Sequence, residues 1–304
     1  MILLAHLKWF EAPGSAPTIY ATPVQWLVVL GLMLGGLGVL YLIDSYTINL
    51  NQQVAKAARP AIPYVATIIA LTIGLTLAIG AWRGAAFAPN ILLTDAHALQ
   101  FYLIVLLISL GILLTLGLFT RASAIGLAVV FGIGMIIFGP MELIEHLEYL
   151  GAAAYLIIVG SGRVSVDRVI NRADKPLADY RPYALPALRI LTGLSLAWLA
   201  LSEKLLNIGL AEEFLGTYHW NFLHTFGINN VWFTVIMGGM ELLFGVALVL
   251  GIAPRLVIAS IAVTMVLTTI LLGPAEVVGH LFAIGVLVAV WVETGQTKKV
   301  LLAA

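Results

Sequence analysis

The sequence predicts an all-α polytopic membrane protein. It reads as about nine transmembrane helices: two parallel four-helix repeats plus one N-terminal helix. Three observations lead there. Of 304 residues, 62% are hydrophobic and only 10% charged, whereas a soluble domain carries about 25% charged residues. The apolar residues fall in runs long enough to cross a bilayer. The octapeptide GPAEVVGH at Gly273–His280 also echoes GPMELIEH at Gly139–His146, 134 residues earlier. Laying residues 107–159 over 241–293 without a gap gives 14 identities in 53 pairs. Gly111/Gly245, Gly117/Gly251, Arg121/Arg255, Gly139/Gly273, Pro140/Pro274, Glu142/Glu276, His146/His280 and Gly151/Gly285 share that one offset. Apolar helices resemble one another by composition, but Gly, Pro, Arg, Glu and His do not align so readily, and an internal duplication accounts for the match.

In chain order, apolar segments lie at 24–43, 62–82, 100–119, 122–139, 143–160, 186–203, 231–252, 256–273 and 277–293. Each is roughly the 17–25 residues needed for a hydrocarbon core of about 30 Å. The opening MILLAHLKWFEAPGSAP has no basic stretch ahead of its apolar residues, which argues against a signal peptide. The first span contains Gly31 and Gly35 in GxxxG spacing, a flat face for close helix packing or tolerated glycines in a plain anchor. Gly-Pro at 139–140 and 273–274 marks tight re-entry, since proline suits a first helical turn. The domains follow: 1–61 with the first helix and an inner loop, a bundle at 62–160, a polar linker at 161–185, and a second bundle at 186–304. The segment 204–230 is too polar to span and reads as an interfacial helix plus loop, with Tyr218, Trp220, Phe222, Phe226 and Trp232 as an aromatic belt or a binding cap.

Basic residues orient the chain. Lys56, Arg59, Arg121, the linker cluster Arg163, Arg168, Arg172, Lys175, Arg181 and Arg189, then Arg255, Lys298 and Lys299, all fall on one face when nine spans are threaded. The other face carries Asp95, Glu142, Glu145, Glu148, Glu212, Glu213 and Glu276. The expected placement is the plasma membrane, N-terminus outside and C-terminus cytoplasmic. Zero formal net charge gives no field that would draw nucleic acid, and the absence of cysteine removes disulfides, thiolate catalysis and Cys-ligated metal centres. No P-loop, Rossmann glycine pattern, Ser-His-Asp arrangement or zincin motif is present.

LRILTGLSLAWLALSEKLL has an arginine near its start, a small residue mid-helix and a lysine at its far end: Arg189, Gly193 and Lys204. MELLFGVALVLGIAPRLVIA places Glu241, Gly245, Gly251 and Arg255 in order. Together these resemble the helices of DoxX-type membrane proteins over most of residues 187–293. Residues 64–160 match more weakly, with Leu107 where Glu241 stands and no lysine clearly in the place of Lys204, although Arg83 is nearby. The resemblance implies two DoxX-like bundles in tandem and a place beside redox enzymes, since the family includes the membrane subunit of a thiosulfate:quinone oxidoreductase.

Glu241 lies about ten residues into its span, where a charge costs roughly 2.5–3.5 kcal/mol, so it is a functional candidate. Protonated, it would donate to a carbonyl such as a quinone oxygen; ionised, it would pair with Lys204 or His280. Glu276 and His280, and Glu142 and His146, have i,i+4 spacing and would share a helix face. The glutamates also suit the positive end of a helix dipole. The candidate proton or quinone site is thus Glu241, Lys204, Glu276 and His280, with Glu142 and His146 as a weaker cofactor-binding pair. Haem ligation by His146 and His280 stays open, and no metal cluster is assigned. The leading functional expectation is a membrane subunit of a redox assembly, in contact with lipid, a protein partner and a quinone. A small-solute transporter or channel, and a structural anchor for a partner complex, are the alternatives.

Overall fold

The computed structural model describes residues 7–9, 19–273, 275–297 and 300–301. They are helical throughout, the only strand-like pairing among them being an isolated bridge between Ala85 and Leu92. The α-helices are α1 (Pro23–Tyr46), α2 (Ile48–Ala58), α3 (Ile62–Trp82), α4 (Gln100–Leu116), α5 (Thr120–Ile137), α6 (Pro140–Ile144), α7 (Glu148–Val159), α8 (Val166–Val169), α9 (Arg181–Ala200), α10 (Ile208–Tyr218), α11 (Asn230–Leu250), α12 (Pro254–Leu272) and α13 (Ala275–Glu293). Six helical stretches are long and apolar enough to cross a membrane: Pro23–Tyr46, Ile48–Trp82, Leu93–Leu116, Thr120–Ile137, Arg181–Leu205 and Asn230–Leu250. Three more apolar helices, Glu148–Val159, Pro254–Ile270 and Gly279–Glu293, are shorter. Large apolar side chains such as Leu27, Leu34, Ile136 and Ile270 point outward, a surface that suits lipid rather than water.

Several element boundaries differ from the sequence reading. The expected inner loop after the first span is largely α2, whose apolar and polar residues segregate to opposite faces. The expected single helix at 143–160 is broken into α6 and α7 by a turn at 145–147, where His146 N–H bonds Leu143 O (2.9 Å) and Tyr149 N–H bonds His146 O (3.1 Å). These i→i−3 bonds tighten the chain beyond α-helical pitch. The linker ends early: α9 starts at Arg181, with Pro182 in its first turn, where a missing N–H costs little, and includes Pro186, which removes one i→i−4 bond.

By contacts the chain divides into two compact units, residues 1–45 with 193–274 and residues 46–192 with 275–304. This differs from the 62–160 and 186–304 bundles drawn on the sequence. In the second unit α13 packs along α3, and Gly285 makes room for it: a Cβ there would sit 3.0 Å from Ile69 Cα. Also in this unit α3 packs on α4 and α5 on α7. In the first unit α11 packs on α10, α12 and the turn that follows α9, while α1 lies on α11 where Gly239 leaves space for Leu32 and Val29.

Matching features recur 134 residues apart. Helix α4 ends at Gly117 (φ +61°) and α11 at Gly251 (φ +75°). Leu118 N–H then bonds Leu113 O (2.8 Å), as Ile252 N–H bonds Ala247 O (2.9 Å), the same left-handed helix stop. Phe119 and Ala253 follow at φ +49° and +44°, and Gly139 and Gly273 stand at +97° and +93° before their prolines. Two helix crossings match as well. A Cβ on Gly74 would sit 2.6 Å from Gly111 O, and a Cβ on Gly193 would sit 2.6 Å from Gly245 O. Backbones this close admit only glycine. A Cβ on Gly31, Gly35 or Gly38 of α1, by contrast, would meet no atom of the described residues within 4 Å. Gly245→Val should therefore destabilise the protein by about 1–3 kcal/mol through overpacking. Gly35→Val should change stability by no more than about 0.5 kcal/mol. Thermal unfolding in detergent compares the two, and equal losses would refute the packing assignment.

Asp167 organises the linker. Its carboxylate accepts from Phe119 N–H (2.7 Å), Thr120 N–H (2.9 Å), Thr120 Oγ1 (2.9 Å) and Ser161 Oγ (2.8 Å), capping α5 from a distance of 47 residues. Burial pushes this carboxyl up, but the hydrogen bonds from Thr120, Phe119 and Ser161 outweigh it and hold the pKa below the usual carboxylate value. The stabilisation is therefore complete above the unfolded-chain pKa of about 3.9 and is lost as pH falls through the lower folded-state value. Asp167→Asn should lower the melting temperature at neutral pH, and the gap to wild type should close on acidification through that window. A gap independent of pH would rule out the carboxylate as its source.

Candidate functional site

The first unit holds a charge pair with no access to solvent. After Ala200 the helix widens into a π turn at Leu201–Leu205, closed by Leu206 N–H to Leu201 O (2.8 Å). The wider turn resets the register, and Glu203, Lys204 and Leu205 are all 0% exposed, which a regular amphipathic turn does not achieve for three consecutive residues. π turns of this kind recur at functional sites. Lys204 Nζ reaches Glu241 Oε2 on α11 at 2.7 Å, and both side chains are wholly buried. Gly238, one turn before Glu241, lets the π turn lie against α11: a Cβ there would be 3.0 Å from Lys204 Cβ.

The neighbouring Glu203 accepts Leu7 N–H at 2.6 Å. Leu7 is buried among Leu210, Phe214, Leu215 and Phe233, so the short Leu7–Trp9 turn and α10 close this end of the unit. Tyr218 and Trp220, expected in a belt or cap, pack on Phe214, with ring centroids at 4.6 and 5.5 Å. They line the inside of that closure, whereas Phe226 is exposed.

The other expected site residues belong to the second unit. His146 is buried, its Nδ1 3.4 Å from Glu148 Oε1, and Glu145 beside it is buried too. His280 is buried on α13. Tyr149 and Phe282, three and two residues further on, stack at 5.7 Å, which brings α7 and α13 together near both histidines. Tyr149 also donates to Phe87 O (2.8 Å). Glu142 lies on α6, which ends at Ile144, so Glu142 and His146 are not one turn apart on a continuous helix. The structure sets Glu148 against His146, a part for Glu148 that the sequence reading missed. The side chain of Glu276 lies outside the described residues. Among the described residues no three His, Asp or Glu side chains converge on a metal position.

A third polar centre escaped the sequence reading. Arg181 NH2 and NH1 grip Glu293 Oε1 and Oε2 at 2.6 and 3.1 Å, and Tyr155 Oη donates to Glu293 Oε1 at 2.5 Å. Arg181 had counted as a linker charge that orients the chain; it is buried against the last residue of α13. The signal was Glu293, an acid at the basic end of an apolar helix. Bidentate geometry and a phenol satisfy the carboxylate, while Arg181 Nε is left without a partner among the described residues; the group locks helix ends together.

Comparison with family models, curated proteins and solved structures returned no match. The chemistry therefore rests on the residues themselves. A buried ammonium–carboxylate pair can shift a proton between its members with no change in net charge, and its spare N–H groups can donate to a bound oxygen. Removing one partner leaves a bare charge in the bundle and should cost about 3–5 kcal/mol, as in Lys204→Met or Glu241→Leu. The double variant Lys204→Met/Glu241→Leu should recover most of that. Denaturation in detergent measures the cycle, and additive losses would show that the pair does not couple.

Proposed function

We propose that this chain is a nine-span plasma-membrane protein with its N-terminus outside. In this reading it is built of two parallel DoxX-like four-helix repeats plus α1, and acts as the quinone-linked membrane subunit of a redox assembly. The observation that carries the reading is the Lys204–Glu241 pair, wholly buried and 2.7 Å apart. An apolar pair of the same volume would hold two helices at least as well, and ionisable groups inside a membrane helix mark functional sites. The left-handed stops at Gly117 and Gly251, 134 residues apart, and the like glycine crossings of Gly111 and Gly245 support the duplication. The three shorter apolar helices supply the remaining spans. Arg189, Gly193, Lys204, Glu241, Gly245, Gly251 and Arg255 carry the DoxX likeness.

A quinone accepts two electrons and two protons to become a quinol, with the electrons coming from a partner polypeptide. Lys204 is the donor to a quinone oxygen and passes it a proton. Glu241 balances the ammonium before transfer and takes up the next proton after it. Quinone-coupled activity of the intact assembly should fall roughly 10²-fold or more in Glu241→Gln, and likewise in the folded Lys204→Met/Glu241→Leu variant. Wild-type rates in both would sink the assignment. Solute flux in proteoliposomes that depends on Glu241 would instead make the protein a transporter. Loss of assembly alone would make it an anchor.

A further inference from the structure

Three polar atoms around the Lys204–Glu241 pair are buried and find no hydrogen-bond partner among the described residues: Glu241 Oε1, Thr234 Oγ1 and Asn207 Oδ1. Two of them break the local habit of their residue type. Thr72, Thr76, Ser109, Thr192, Ser260 and Thr264 each return their hydroxyl to the carbonyl four residues earlier. Thr234, inside a helix and 1% exposed, does not. Asn207 is the N-cap of α10, where its side-chain oxygen would ordinarily accept a backbone N–H; it makes no capping bond. Lys204 adds three donors, of which Glu241 Oε2 accounts for one.

These groups are ordered in space. Thr234, Gly238 and Glu241 lie at i, i+4 and i+7, one face of α11. Gly238, in the middle of that face, lies against Lys204 and Leu205. Thr234 is two turns, about 10 Å, nearer the start of α11 than Glu241. Asn207 stands three residues beyond Lys204, where the π turn hands over to α10. The orphan atoms thus run from the ion pair toward the end of the unit that α10 and Leu7 close. Leaving each one bare is unfavourable, and a buried water is held by two to four such partners.

We propose that Asn207 and Thr234 hold a file of ordered water that joins the Lys204–Glu241 pair to the aqueous phase at that end and is its proton route. The proposal deepens the reading of the pair as a proton-handling site and rests on it. The test, however, reads hydration and needs no redox activity.

The chain contains no cysteine, so each introduced thiol reports its own position. Thr234→Cys is nearly isosteric, and Val235→Cys, at a neighbouring site that is 0% exposed and wholly apolar, is the control. Small thiosulfonate reagents attack the hydrated thiolate, so in intact protein Thr234→Cys should label roughly tenfold or more faster than Val235→Cys. The excess should vanish when Lys204→Met/Glu241→Leu is added. If Thr234→Cys fails to fold, Asn207→Cys against Ile208→Cys serves the same purpose. Equal rates within these pairs would overturn the water file. Fast labelling that survives in an assembly where Glu241→Gln keeps wild-type activity would leave the site hydrated and overturn both its role as a proton route and the quinone assignment.

Discussion

A lysine and a glutamate held 2.7 Å apart without solvent impose requirements on everything around them. Neither charge can be there without the other, because an isolated ion in an apolar interior costs several kcal/mol even after relaxation. Bringing them together needs two backbones in close approach, which Gly238 provides on one side and the π turn on the other. Screening them from bulk solvent needs a cover, supplied by α10, its aromatic cluster and the Leu7–Trp9 turn tied to Glu203, and the proposed file of single waters threads beneath it. Glycine, π turn and cap belong to one arrangement: each is costly or unremarkable alone and is accounted for by the buried pair.

The second unit treats charge differently. Its Arg181–Glu293–Tyr155 group joins residues at helix ends and leaves the carboxylate no unused face. Such a group fixes geometry, with Arg181 Nε the donor it leaves over. The Lys204–Glu241 pair is incompletely satisfied, with one carboxylate oxygen and two ammonium donors unspent. That contrast separates a lock from a site more clearly than burial does, since all of these side chains are buried.

Composition and run length made the helical class legible, and the 134-residue echo picked out the left-handed glycines at 117 and 251 and at 139 and 273, where helices end and begin. Glu241 and Lys204 were legible for a physical reason: an acid in mid-span requires a partner, and a lysine at the end of the preceding apolar helix was the nearest base. What stayed hidden depends on local backbone detail or on long-range packing. The Glu142–His146 register assumed a continuous helix, and the turn at 145–147 removes it. Nothing in a string of apolar residues announces that α13 packs on α3. Arg181 looked like any linker cation until its partner, 112 residues away, was in place.

The proposed duplication makes a comparison within one chain. Leu107 stands where Glu241 does, and it is buried. On the other helix, α3 ends at Trp82, before the position that Lys204 holds in the π turn after α9, and Arg83 stands nearby. The first copy thus keeps the glycine crossing and the left-handed stop, with an apolar side chain where Glu241 stands. Its helix pair closes without an ion pair, so the crossing itself does not depend on one. Whatever keeps Lys204 and Glu241 in the second copy must come from outside the packing of those two helices, and proton transfer to a bound oxygen is a demand of that kind.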